Sequence, residues 1–175
     1  MKIFLLDSEI KKVVKYKKEL EQKLNVSLIF EKNIVSIEGS AIDEYTAEKI
    51  IKALAYGFDF KIVMLLQDEN YMFEEINVKD YASGKRLRQI KARIIGTKGK
   101  ALKTLMQLTD CRLILHENKV AIIGRTENVD YAIQSIQSII HGSKHGNVYA
   151  RLEKLRAKPE DEDLGLREWK PEKNE

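Results

Sequence analysis

A chain of 175 residues, 43% hydrophobic and 33% charged, holds one large domain or two small ones of about 60 to 90 residues, and its composition excludes a disordered polymer. The net charge of +4 is unevenly placed: residues 157–175 carry a net −3, leaving +7 on residues 1–156, so an anionic partner belongs to the body of the chain. One cysteine, Cys111, excludes an intrachain disulfide, the apolar start is too short for a signal peptide, and no run of about 18 apolar residues occurs; these point to a reducing, cytoplasmic setting.

In chain order, Lys2 to Leu6 predicts a strand and Ser8 to Leu24 a single amphipathic helix capped by Asp7 or Ser8. Val26 to Glu31 and Ile34 to Glu38 predict two strands around a Lys32-Asn33 turn. After Gly39, the first glycine in the chain, Ala47, Ile50, Ile51 and Leu54 share one face of a helix. Phe58, Ile62, Leu65 and Leu66 predict a linker helix over Phe58 to Gln67. A strand around Phe73 to Val78 follows, then a helix from about Ser83 to Ile95, a loop at Gly96 to Gly99, and a helix from Lys100 to about Thr109. Cys111 to His116 and Lys119 to Ile123 predict strands around Glu117-Asn118. A last helix carries Ala132, Ile133, Ile136 and Ile140 on one face. Cys111, in an apolar run, is expected to be buried packing rather than a reactive thiol.

Residues 26–57 laid on 111–142 without a gap agree at nine positions, among them Asn33/Asn118, Val35/Val120, Ile37/Ile122, Gly39/Gly124 and Gly57/Gly142. The chain is therefore an internal duplication. Upstream the copies diverge, because the first has no glycine between its strand and its matched half. It is assigned scaffolding. The division is residues 1–57 for a degenerate module, 58–72 for the linker, 73–142 for the intact module, 143–156 for a C-terminal extension and 157–175 for a charged tail expected to lack order. Trp169 in that tail either docks or stays exposed.

The chemistry concentrates at Ile94-Ile95-Gly96-Thr97-Lys98-Gly99-Lys100-Ala101-Leu102. It lies in a run from Tyr81 to Thr109 with eight basic residues and no acid: Lys85, Arg86, Arg88, Lys91, Arg93, Lys98, Lys100 and Lys103. Glycines without Cβ let a backbone approach a phosphodiester, and a following helix points free N–H groups at an anion. The spacing departs from a nucleotide-binding P-loop, with no four-residue gap between glycines and no Ser or Thr after the lysine, and no acid is placed to hold magnesium. The histidines His116, His141 and His145 are too scattered to make a metal site with Cys111. No metal or cofactor is expected, nor is an enzyme.

Strand, helix, Gly-x-x-Gly loop, helix, strand, strand, helix, with Ile-Ile-Gly-x-x-Gly-x-x-Leu at the helix junction, resembles the type I KH domain, a single-stranded RNA reader whose loop clamps about four nucleotides. A degenerate module before an intact one, and Gly142-Ser143-Lys144-His145-Gly146-Asn147-Val148-Tyr149 after the last helix, are similar to archaeal KH proteins related to the partner-of-NOB-one family, also called Dim-two. The resemblance implies an α+β fold of two tandem KH-like modules, each a three-stranded antiparallel sheet backed by helices. It also implies a role in ribosome biogenesis: binding small-subunit rRNA near its 3′ end, alongside a PIN-domain endonuclease and other assembly proteins, with no membrane. On this reading the amides around Gly96, Thr97, Lys98, Gly99 and Lys100 meet phosphate, and Lys98 and Lys100 neutralise charge. Ile94, Ile95 and Leu102 form an apolar floor for bases, or serve as core. Leu113, Ile114 and Leu115 supply the other wall, by whichever strand face is open, and base discrimination falls to strand backbone with Arg93, Lys103 or Arg112. A protein adaptor with incidental RNA contact, or a nucleotide-phosphate enzyme, are the alternatives.

Overall fold

Leu28, Val35 and Ile37 are apolar positions on neighbouring strands, and they meet Ala47, Ile50, Ile51 and Leu54 from one helix face in a dry core. The structure, a computed structural model, describes residues 1–157. The tail residues from Lys158, Trp169 included, lie outside the described residues.

The first module runs β1 (Lys2–Phe4), α1 (Asp7–Val14), α2 (Lys17–Leu24), β2 (Ser27–Glu31), β3 (Ile34–Glu38) and α3 (Ala41–Tyr56). Its antiparallel sheet has the order β1-β3-β2, with Ile3 and Phe30 both opposite Val35. A short α4 (Phe60–Val63) passes into a 3-10 turn over Met64–Gln67. The second module follows as β4 (Tyr71–Asn77), α5 (Gly84–Ile95), α6 (Lys100–Thr109), β5 (Arg112–His116), β6 (Lys119–Arg125) and α7 (Thr126–Ile140), its sheet ordered β4-β6-β5. The segment expected as an extension forms α8 (His145–Arg156), which inserts Val148 and Leu152 into the second core. The α+β class and the pair of three-stranded antiparallel sheets agree with the sequence reading.

Two elements differ. The helix expected unbroken from Ser8 to Leu24 is divided at Lys15-Tyr16, where Tyr16 leaves helical geometry (φ −106°, ψ 11°). The cause is tertiary: the Tyr16 ring stacks on Phe60 of the linker with centroids 4.7 Å apart. The first module thus keeps the helix-break-helix outline without glycines. The linker is helical for only four residues before tightening, so the expected helix from Phe58 is shorter and starts after Asp59.

The duplication also appears in the backbone. Asn25 and Asp110 (φ 53° and 52°), Lys32 and Glu117 (46° and 51°), and Gly57 and Gly142 (104° and 103°) are left-handed pairs, each 85 positions apart. Gly39 and Gly124 repeat a packing need: a Cβ would stand 3.0 Å from Val26 Cγ1 in one copy and 2.5 Å from Cys111 Sγ in the other. Burial pushes the Cys111 thiol up to about 11, in keeping with an inert packing group.

The modules share strand β6. Val120 and Ile122 enter the second core, while Ala121 and Ile123 enter the first, so the sheet is covered on both faces. At the border Tyr56 donates to Glu75 at 2.7 Å and Lys119 donates to the same carboxylate at 2.9 Å.

Candidate nucleic-acid interface

Helix α5 stops at Gly96 because φ there is 71° and the adjoining chain leaves no room: a Cβ would lie 2.5 Å from Ala101 Cβ. Lys98 (φ 53°) and Gly99 (φ 75°) then turn left-handed, and α6 starts at Lys100. The loop is therefore a tight reversal with Thr97 and Lys98 exposed at its tip. The Lys100 amide turns back onto the Thr97 carbonyl, and the amides that follow it at the start of α6 have no intrahelical acceptor, a setting suited to phosphate.

Six of the eight cations, Lys85, Arg86, Arg88, Lys98, Lys100 and Lys103, are exposed, and none of them makes an ion pair among the described residues. Lys91 instead donates to Asn118 Oδ1 at 3.3 Å. Arg93 corrects the sequence reading: its guanidinium donates to the carbonyls of Ile139 at 2.9 Å and Ser143 at 2.6 Å, tying α5 to the end of α7. Two of its five N–H donors are thereby committed to backbone carbonyls, which favours a joint-holding role over base discrimination. His145 Nε2 lies 2.9 Å from the Arg93 carbonyl and reinforces the same junction.

The apolar floor also divides. Ile94 is fully buried and Leu113 is 3% exposed, so both pack mainly in the second core, Leu113 also lining the hollow between α6, β5 and the linker. Ile95 is 38% exposed and Leu102 half-buried, beside the loop. Along β5, Leu113 and Leu115 point into the second core while Ile114 packs toward the first. What β5 offers is its outer edge, because it pairs only with β6. Lys103 and Arg112 remain exposed where the reading placed them.

The sequence reading missed Met106 and the linker. Met106 stands four residues after Leu102 on the same face of α6, which is the periodic signal that could have found it. Across from it, Phe58, Asp59 and Ile62 of the linker close the groove beyond Arg112 and Ile114. Among the described residues there is no group of three metal-ligating side chains.

A Gly-x-x-Gly reversal between two helices, laid against an antiparallel β4-β6-β5 sheet, defines a type I KH domain protein. The family described as the eukaryotic type KH domain (KH domain type I), in the form of the second Pno1 domain, matches residues 72–157. The chain belongs to the partner-of-NOB-one, or Dim-two, family of KH proteins. A KH domain-containing protein of Methanocaldococcus jannaschii is 32% identical over 149 residues, 81% of this chain and 66% of that protein. The pre-rRNA-processing protein pno1 of Emericella nidulans is 30% identical over 115 residues, 63% of this chain and 45% of that one. The chain thus spans about two thirds of the archaeal relative and under half of the fungal one. Dim2p of Pyrococcus horikoshii, solved in a complex with a/eIF2alpha and rRNA, has the same fold, at 24% identity and a TM-score of 0.80 over 89% of this chain and 93% of that one.

Proposed function

We propose that the second module grips single-stranded RNA of the small ribosomal subunit, near the 3′ end of its rRNA, and that the chain serves as a non-catalytic assembly factor in the cytoplasm. The carrying observation is the positive-φ reversal at Gly96, Lys98 and Gly99 amid six exposed cations that make no ion pair among the described residues. Kinship with pre-rRNA-processing proteins supports the choice of rRNA, and the fold is one that occurs in a complex with rRNA. The first module, whose Phe4 and Ile42 are 78% and 80% exposed, is the side for a protein such as a PIN-domain endonuclease or another assembly factor.

Fluorescence anisotropy with short single-stranded RNAs from the 3′ end of small-subunit rRNA, at two salt concentrations, tests the reading. Wild type binds, and affinity falls steeply with salt. Thr97→Asp/Lys98→Asp weakens binding at least about tenfold and lowers the salt slope by about one, since one phosphate contact is lost. Unchanged affinity in that variant at matched salt would overturn it. Hydrolysis of ATP or GTP by wild type and not by Lys98→Ala would replace the non-catalytic reading with an enzymatic one.

A further inference from the structure

Resting on the RNA-binding reading, the geometry points to Asp59 of the linker as the residue that selects an amino-bearing base, one with an exocyclic NH2 such as cytosine, adenine or guanine, at the far end of the groove. A hollow of about 390 Å³ lies there, in the range of about 300 to 1,000 Å³ usual for small-molecule sites. Its apolar lining comes from Phe58, Ile62, Met106, Leu113 and Ile114, and its two charges are Asp59 and Arg112.

Three observations favour a base as occupant. The hollow continues the groove: Leu102 and Met106 form one stripe along α6, and Met106 sits about 9 Å along the helix from Lys100, within the span of the four nucleotides a KH loop holds. The Asp59 carboxylate is uncommitted. It stands at the N-cap of α4 yet accepts no capping hydrogen bond, and it makes no ion pair among the described residues. Arg112 is likewise exposed and makes no ion pair among the described residues, so an acceptor and a cationic donor flank one apolar hollow.

That combination fits a nucleobase rather than a phosphate, which a carboxylate would repel. A flat ring rests on the aliphatic and thioether surface, its amine donates to Asp59, and Arg112 donates to a ring nitrogen or carbonyl beside the amine. Uracil has no exocyclic amine and can offer the carboxylate only its N3–H, flanked by two repelling carbonyl oxygens, so it is disfavoured. The first module thereby takes part in reading RNA, because the linker that follows α3 forms one wall of the second module's groove.

Anisotropy titrations use the same rRNA 3′-end RNAs, with single positions changed from cytosine to uracil, guanine to inosine, or adenine to purine. Asp59→Ser, which preserves capping ability at an exposed position, is compared with wild type, and matching thermal melts establish that it folds. The expected result is one position where removing the amine costs wild type about tenfold and costs Asp59→Ser less than twofold, with equal salt slopes. Equal sensitivity in both proteins, or no sensitive position in wild type, overturns the role of Asp59 while leaving RNA binding intact. Failure of wild type to bind any of these RNAs removes the RNA-binding reading itself, and this inference with it.

Discussion

Two glycines of the loop share a positive φ but neither the same ψ, 176° at Gly96 and 10° at Gly99, nor the same surroundings. Gly96 (φ 71°) has Ala101 Cβ 2.5 Å from where its own Cβ would be, whereas a Cβ on Gly99 (φ 75°) meets nothing within 4 Å. Gly99→Ala therefore carries conformational strain alone, about 1 kcal/mol. Gly96→Ala adds a collision between two helices and should cost about 3 kcal/mol. Urea unfolding of the two variants checks the order, and equal losses would show that the Ala101 contact yields freely. A second residue-scale prediction concerns Glu75. Burial opposes its ionisation, but hydrogen bonds from Lys119 and Tyr56 outweigh burial and hold its pKa below the ordinary 4.5. A carboxyl with a lowered folded pKa stabilises the fold above the unfolded value and loses that contribution as pH falls through the folded one. The group is partly exposed, so Glu75→Gln should cost only about 0.5 kcal/mol at neutral pH, and the gap to wild type should narrow in urea titrations as the pH falls below the ordinary carboxyl value.

At the scale of elements, Arg93 ties the joint between α5 and α7. Arg93→Met removes the donor to the Ser143 carbonyl and leaves the Ile139 carbonyl with backbone donors such as Gly142 N–H alone, and should lower stability by about 1 to 2 kcal/mol. RNA affinity and salt slope should stay near wild type once the protein is folded; a loss of slope comparable to that of Thr97→Asp/Lys98→Asp would return Arg93 to the interface. This residue also shows where sequence stops being legible. Nothing in the order of residues distinguishes a cation that meets phosphate from one that meets a carbonyl 46 or 50 positions away. The strands, the junction of α5 and α6 and the duplication were legible because each rests on local signals: alternation, glycine at left-handed positions, and nine matches at one offset. The division of α1 from α2 was not, since it depends on Tyr16 finding Phe60 across the module border. Ile94 and Ile95 look alike in sequence, yet successive helix residues point about 100° apart, so one is core and the other is open to the groove.

At the scale of the whole molecule, the two modules are repeats in sequence but not independent units. The run Val120 to Gly124 is buried throughout β6, which requires a layer on each side of that strand. Its inward alternation feeds the second core and its outward alternation, Ala121 and Ile123, feeds the first. Removing either module would leave an apolar sheet face open to water, so the arrangement couples their stabilities. Ile123→Ala, at a residue 1% exposed, should cost about 2 to 4 kcal/mol. Coupling makes the loss global: in native-state hydrogen exchange, the slowest amides of β3 in the first module and of β6 in the second should lose protection by the same amount. If β6 alone lost protection, the modules would unfold separately and the shared strand would be a docking surface rather than a common core. Equal loss would fix the linker against β5 for as long as the protein is folded, which is the rigidity that a groove walled by both modules needs in order to distinguish one base from another.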